Sequence, residues 1–152
     1  MKKILLTLLA LGTISALAPV RAASLPDSLQ TSVDQYLVIQ TALAGDSLDG
    51  VPEAATALAE AAKASDGAVP AAVSSQAEAV GKAGDLKAAR EAFKPLSATL
   101  VAALAAQNPK SGEYYEAFCP MADAAWVQAD KSIANPYYGA SMLKCGSIRK
   151  DL

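Results

Sequence analysis

The stretch DLKAAREAFKPLSATLVAAL, residues 85–104, decides the fold. Its apolar side chains recur at three- and four-residue steps, which is the period of an amphipathic α-helix. Asp85 follows Gly84 and is placed to cap the start of this helix. Pro95 removes the backbone hydrogen bond to the Glu91 carbonyl, so we expect a kink there or a break into two helices. The apolar stripe consists of Leu86, Ala89, Phe93, Leu96, Leu100 and Leu104.

Three more amphipathic segments precede this helix. The first is predicted from Leu25 to Ala44 and is followed by a turn rich in Gly and Asp at residues 45–50. The second starts near Pro52 and ends near residues 65–67, and a weaker third covers residues 70–83. The inner faces comprise Leu29, Val33, Tyr36, Leu37, Gln40, Leu43 and Ala44 on the first helix, and Val51, Ala55, Leu58 and Ala62 on the second.

Four amphipathic helices joined by short turns favour antiparallel neighbours. We therefore predict an all-α fold, an up-down helical bundle on which an irregular C-terminal segment containing Cys and Met is packed. A predicted loop at residues 107–112 separates the two parts. Because buried alanine contributes little apolar area, the core depends on Leu and Val side chains together with Tyr36 and Phe93.

Residues 1–22 have the pattern of a signal peptide: a basic start, an apolar run at residues 4–18 and a cleavage site after Ala22. A membrane anchor is disfavoured, because the run is shorter than the roughly 20 residues of a spanning helix and is closed by Pro19 and Arg21. We expect residues 23–152 to form a single domain that is periplasmic or secreted and that does not associate with the membrane once the signal is removed.

The charge balance also limits the partners. Removing residues 1–22 takes away three of the 13 Lys and Arg and none of the 15 Asp and Glu, which leaves a net charge of −5. Nucleic acids require clustered Lys and Arg on a surface that faces the phosphates. We therefore expect no nucleic-acid partner and no attraction to anionic membranes.

The chemistry of the chain is concentrated in EYYEAFCPMADAAWVQADKSIANPYYGASMLKCG, residues 113–146. This stretch holds both cysteines, the only Trp and both methionines other than the initiator. Pro120 forces Cys119 out of helical geometry, and in an extended strand Cys119 and Met121 point to the same side. Met142 and Cys145 are three residues apart, which places them together on one predicted helical turn.

Two interpretations of these sulfur groups remain open from the residues alone. Thiolate and thioether ligands in a C-x-M and an M-x-x-C pair form the ligand set that soft Cu(I) prefers. Two cysteines in an exported protein also pair as a disulfide, and closing this loop stabilises a fold by about 3.5 kcal/mol on the chain-entropy estimate. Met121 and Met142 would then be core residues. Trp126, Tyr137 and Tyr138 are interpreted as core aromatics in either case.

The pattern CPMA at residues 119–122, followed by Trp126 and by NPYYGASMLKCG at residues 135–146, resembles the DUF3347 family. The resemblance extends over about residues 33–148. Two helical sequences that also resemble the family are YLVIQTALAGDSLDGV (36–51) and DLKAAREAFKPLSATL (85–100).

This resemblance implies a role in metal handling. Domains of the family occur in exported bacterial proteins and on the membrane-fusion adaptors of copper and silver efflux pumps. It therefore implies Cu(I) as the cofactor and a periplasmic efflux adaptor or another metal-handling protein as the partner. Carried over by position, the metal ligands are Cys119, Met121, Met142 and Cys145. The positions expected to support them are Pro120, Trp126, Asn135, Pro136, Tyr137, Gly139 and Gly146.

An enzymatic function is not indicated. The chain has no histidine, so no Ser-His or Cys-His pair can form. Scattered carboxylates such as Asp46, Asp49 and Glu53 have the positions of turn and cap residues. We therefore expect a soft-metal binding module or, alternatively, a disulfide-stapled structural or interaction domain without a metal.

Overall fold

A computed structural model of the protein describes residues 25–107 and 113–152. The predicted signal peptide at residues 1–22 and most of the predicted loop at residues 107–112 lie outside this range. Within these residues, four α-helices are followed by three short strands. The elements are α1 Asp27–Ala44, α2 Val51–Lys63, α3 Ala72–Gly81 and α4 Leu86–Gln107, then β1 Tyr115–Cys119, β2 Ala124–Gln128 and β3 Ser147–Asp151.

The structure confirms the four helices that were predicted from the spacing of apolar residues. Five of the six stripe residues on α4 are fully buried, and Leu86 is half-buried at its start. Asp85 accepts a hydrogen bond at 2.8 Å from the Ala88 backbone N–H, as expected of a capping residue. The helix continues through Pro95, so the predicted alternative of two separate helices is not observed. No helix in the described ranges is long and apolar enough to cross a bilayer.

Each helix packs against the next one along the chain. On α1 the buried face includes Tyr36 and Gln40, as predicted, and also Ile39, which the pattern missed. On α2 all four predicted inner residues are buried. The helical layer therefore follows the sequence closely, because a period repeated over several turns specifies both the helix and its inner face.

The prediction of an all-α fold is wrong, because the C-terminal part forms a three-stranded antiparallel sheet in the order β2-β1-β3. Ala117 of the central strand lies opposite Trp126 on one side and Ile148 on the other. Residues of β1 alternate between buried and half-buried positions, which is the two-residue period of a strand. A strand of five residues gives only a weak periodic signal in the sequence, and β3 comes from a segment distant from β1 along the chain. Extended backbone was therefore considered at Cys119, but the pairing of the strands was not predicted.

The sheet is attached to the helices through β2, which packs mainly against α4. The backbone N–H of Val127 donates a hydrogen bond at 3.2 Å to the Tyr36 hydroxyl, which lies 2.6 Å from the Ser97 hydroxyl. The Tyr36 ring stacks on Phe93 of α4 with a centroid separation of 4.9 Å. This polar and aromatic contact fixes the hairpin of β1 and β2 relative to the helical layer, and with it Cys119 at the end of β1.

Candidate functional site

Cys119 is the last residue of β1 and is fully buried. The strand ends there because Pro120 follows, and the chain turns over residues 120–123 before β2 begins. Asp123 closes the turn with a φ of 48°, in the left-handed region. The prediction that Cys119 and Met121 share one side of an extended strand is therefore wrong, since Met121 lies in the turn.

Cys145 lies in the loop that leads into β3 and is half-buried. The helical turn predicted over Met142 and Cys145 is not observed there. A 3₁₀ turn lies before it in the chain, at Gly139–Ser141. Met142 and Cys145 form a tight turn instead, in which the Cys145 N–H donates to the Met142 carbonyl at 2.9 Å. Gly146 has a φ of 131°, and a Cβ there would lie 2.8 Å from the Trp126 ring. The close approach of this backbone brings Cys145 to the end of β1.

The two sulfur atoms meet at this point. The Sγ atoms of Cys119 and Cys145 are 3.0 Å apart, and both cysteines are free thiols. A disulfide bond is about 2.05 Å long, so the structure shows a thiol pair in contact and not a bridge. Both interpretations of the sulfur groups require the two cysteines to lie close together, and the structure places them in contact.

The two thiols differ in acidity. Burial acts to raise the pKa of Cys119, but hydrogen bonds to its sulfur outweigh burial, and the pKa is lowered from its ordinary value. The pKa of Cys145 is raised, first because of its hydrogen bond to Cys119, and then because of burial and the neighbouring negative charge. The arrangement therefore favours a single negative charge, held on Cys119. The donors to Cys119 are the Cys145 thiol, the backbone N–H groups of Ala122 and Met121, and the Asn135 side chain.

Asn135 connects both cysteine segments and is fully buried. Its Nδ2 donates to the Cys145 carbonyl at 2.8 Å, and its Oδ1 accepts from the Tyr137 N–H at 2.8 Å. Its backbone N–H donates to the Leu143 carbonyl at 2.9 Å. The same side chain also acts to lower the pKa of Cys119, so this predicted motif residue interacts with both cysteines.

Trp126 and Tyr137 belong to the core, as predicted, whereas Tyr138 is half-buried and packs against the edge of the core. Trp126 is fully buried, and its ring meets Tyr137 edge-on at 5.9 Å between centroids. The Tyr137 hydroxyl donates to the Ala125 carbonyl at 2.6 Å. The half-buried Tyr138 donates its hydroxyl to the Met121 carbonyl at 3.0 Å. Both tyrosines therefore attach the NPYYG sequence at residues 135–139 to the hairpin of β1 and β2, which carries Cys119.

The two methionines reach the cysteine pair through their backbones. The Met121 backbone N–H acts to lower the pKa of both thiols, while the residue as a whole is 64% exposed. The carbonyl of the half-buried Met142 accepts from Cys145. Met121 is therefore a residue with an exposed thioether beside the site, and the prediction that it packs in the core under the disulfide interpretation is wrong.

An ion pair beside the site was missed from the sequence. Arg90 of α4 contacts Asp46 at 2.5 Å, and Asp46 was interpreted as a turn residue only. The same guanidinium donates to the carbonyls of Pro136 at 2.9 Å and Leu43 at 2.8 Å. The sequence did contain one indication that Arg90 has a structural role. It lies next to Ala89 and three residues before Phe93, on the edge of the apolar stripe.

The donor set fits a soft metal ion better than a hard one. No group of three or more His, Cys, Asp or Glu side chains suited to a metal occurs within residues 25–107 and 113–152. Structural zinc sites use four Cys or His ligands, whereas Cu(I) accepts thiolate and thioether sulfur. The residues that would hold such an ion are Cys119 and Cys145, with the methionines as further sulfur donors.

Comparison with known proteins identifies the family of the helical part. A family described as "Protein of unknown function (DUF3347)" matches residues 33–112, which is more than half of the chain. The match ends before β1 and so includes neither cysteine. No curated protein and no solved structure matches the chain. The protein therefore belongs to DUF3347, a family of proteins of unknown function.

Proposed function

We propose that this protein is an exported soft-metal binding domain that holds Cu(I) on Cys119 and Cys145. The observation that supports this proposal is the contact of two free thiols at 3.0 Å in a site where one thiol has a lowered pKa. A thiolate is the form of cysteine that binds metal, so a site that favours deprotonation of one of its thiols lowers the cost of binding. The role is binding and not catalysis.

The methionines complete the proposed ligand set. Met121 is exposed and lies in the turn directly after Cys119, and Met142 lies in the turn directly before Cys145. A thioether is neutral, so it adds a soft donor without the desolvation cost of another charge. The partner proposed for such a site is a periplasmic efflux adaptor or another metal-handling protein, which would exchange the ion through the exposed Met121 side of the site.

The sulfur contact also supports a second candidate function, a disulfide-stapled interaction domain. Both thiols lie close enough for a bridge to form with small movements of the side chains. In an oxidising compartment the pair would lose two protons and two electrons to a disulfide-forming oxidant, and the loop between residues 119 and 145 would be closed.

An anaerobic titration of the reduced protein against a competing Cu(I) chelator tests the proposal. We expect one Cu(I) per chain, and no competitive binding by the Cys119→Ser/Cys145→Ser double variant. Affinity should rise with pH, because the second thiol must lose its proton on binding. Met121→Leu and Met142→Leu keep the side-chain volume, so each should weaken binding while costing less than about 1.5 kcal/mol of stability.

The disulfide-stapled domain predicts another pattern in the same set of variants. Cys119→Ser or Cys145→Ser would lower the melting temperature of the air-oxidised protein, and neither methionine variant would change copper uptake. Equal copper uptake by the wild type and the double cysteine variant would refute the metal proposal.

A further inference from the structure

Arg90 and Asp46 form a connection between three separate parts of the chain. The Arg90 side chain is only 16% exposed, and it binds the end of α1, the following turn and the NPYYG loop, which we define as residues 135–139. Asp46 extends the connection, because its second carboxylate oxygen accepts the Ala140 N–H at 2.8 Å. Two side chains thus make four bonds to the backbone or to each other, and the NPYYG loop is held at Pro136 and at Ala140, the residue directly after its end.

The backbone around this pair leaves little room for movement. Asp46 itself has a φ of 56°, in the left-handed region where Asp and Asn are tolerated. Gly139 has a φ of 54°, and a side chain at this position would overlap with the Asp46 carboxylate and the Arg90 guanidinium. The NPYYG loop therefore lies in direct contact with the ion pair.

The same loop holds both cysteine segments. At one end Asn135 binds the Cys145 carbonyl, and in its middle Tyr138 binds the Met121 carbonyl beside Cys119. A shift of the loop would thus move the two sulfur atoms relative to one another. The ion pairs of Glu78 with Lys63 and Lys82 differ in this respect, because they join residues of the helical part to one another and all three side chains are at least 40% exposed.

We propose that Arg90 and Asp46 are positioning residues for the thiol pair: their ion pair fixes the NPYYG loop and thereby sets the separation of the Cys119 and Cys145 sulfurs. This inference rests on the proposed function in one respect only: metal binding would explain why the separation of the two sulfur atoms matters. The geometry itself concerns the thiols and needs no metal. Reacting groups displaced by about 1 Å lose a large part of their advantage from proximity, so the separation should be measurable as a chemical equilibrium.

Thiol–disulfide exchange with glutathione in metal-free, chelator-treated buffer measures that equilibrium. The constant for formation of the Cys119–Cys145 disulfide against the glutathione couple gives the effective concentration of one thiol relative to the other. Asp46→Asn keeps the tolerated backbone geometry and one acceptor but loses the charge, and Arg90→Lys keeps the charge but loses the forked donor. We expect each to lower the effective concentration by at least about tenfold at a temperature where both remain folded. Glu78→Gln is the matched control, since it removes the charge of an ion pair remote from the loop, and it should leave the value unchanged.

The outcomes separate this inference from the proposed function. A fall in effective concentration in both variants, with unchanged values for Glu78→Gln, supports the positioning role whatever the copper titration shows. Values within about twofold of wild type in both variants, even with a lowered melting temperature, would show a purely structural ion pair and overturn the inference.

Discussion

At the scale of single residues, the two cysteines are chemically unequal although they touch. Cys119 is fully buried at the end of the central strand and is surrounded by donors, while Cys145 is half-buried and is a donor to it. Two thiols so close share one negative charge, and their titration belongs to the pair. The first proton should therefore leave below the ordinary pKa of a thiol and the second above it.

Single alanine variants of the two cysteines test this inequality. Removing the Cys145 thiol deletes a donor, so Cys145→Ala should raise the pKa of Cys119. Removing Cys119 deletes the main cause of the shift at Cys145, so Cys119→Ala should lower the pKa of Cys145 towards the ordinary value of about 8.5. The rate of alkylation against pH measures both. If Cys119 in the Cys145→Ala variant titrates at or below the first pKa of the wild-type pair, the assignment of the charge to Cys119 through the Cys145 donor is contradicted.

Arg90 shows why some site residues could not be predicted from the sequence. Its acceptors Pro136, Leu43 and Asp46 are 44 to 47 residues away along the chain, so no local spacing indicates them. The cysteines were predicted because their residue type and rarity carry chemical information by themselves. Their contact was expected from chemistry, whereas the loop that brings them together was found only in three dimensions.

At the scale of elements, the strength of the local signal separates what was predicted from what was missed. α4 repeats its apolar period over 22 residues, so its inner face could be read directly. Each strand has five residues, and β1 pairs with β3, whose sequence SIRKD is mostly exposed and lacks an apolar alternation. A strand of this kind is specified by its partner and not by its own residues.

Gly146 provides a test of the junction between the cysteine loop and β3. An alanine there would hold a φ of 131° and would place its Cβ 2.9 Å from the Phe118 carbonyl oxygen. We expect Gly146→Ala to cost about 2 kcal/mol or more in the free energy of unfolding, from backbone strain together with the overlap. Urea denaturation measures this value.

Gly84→Ala is the control for this substitution. Gly84 has open space around its Cβ position and no positive φ. Its replacement should change the free energy of unfolding by less than about 1 kcal/mol, with a gain in stability from the less flexible unfolded chain. An equal loss of stability in both variants would contradict the role of the tight junction.

At the scale of the whole molecule, the family match and the site occupy different parts of one structure. Residues 33–112 cover most of the helical layer, whereas both cysteines follow in the sheet segment. The two parts are joined by the contacts of β2 with α4 and by the ion pair between Arg90 and Asp46. Stability of the whole should therefore respond to charges that lie on the helices.

Acid should weaken the protein through two carboxylates. Hydrogen bonds from Arg90 and from the Ala140 N–H lower the pKa of Asp46, and those from Lys63 and Lys82 lower the pKa of Glu78. A lowered folded-state pKa means stability that is present above the unfolded-state values of about 3.9 and 4.3 and is lost as the pH falls through the folded-state values.

Asp46→Asn and Glu78→Gln should each flatten this loss of stability with acid, as measured by urea denaturation from pH 7 downward. Salt should reduce the contribution of Glu78 more than that of Asp46, because the side chains of Lys63 and Lys82 are 60% and 77% exposed and that of Arg90 is 16% exposed. A steeper loss with acid in either variant would contradict the sign of the shifts.

The burial of Trp126 gives the protein an internal optical probe. It is the only tryptophan, its indole N–H is bound to Gln128 at 2.9 Å, and its ring lies against Gly146, the residue after Cys145. Indole emission depends on the polarity and the quenching groups around the ring. We therefore expect a movement of the backbone at Cys145 and Gly146 to alter the emission of a fluorophore that the chain already contains, so that the state of the thiol pair can be followed in solution without attaching a label.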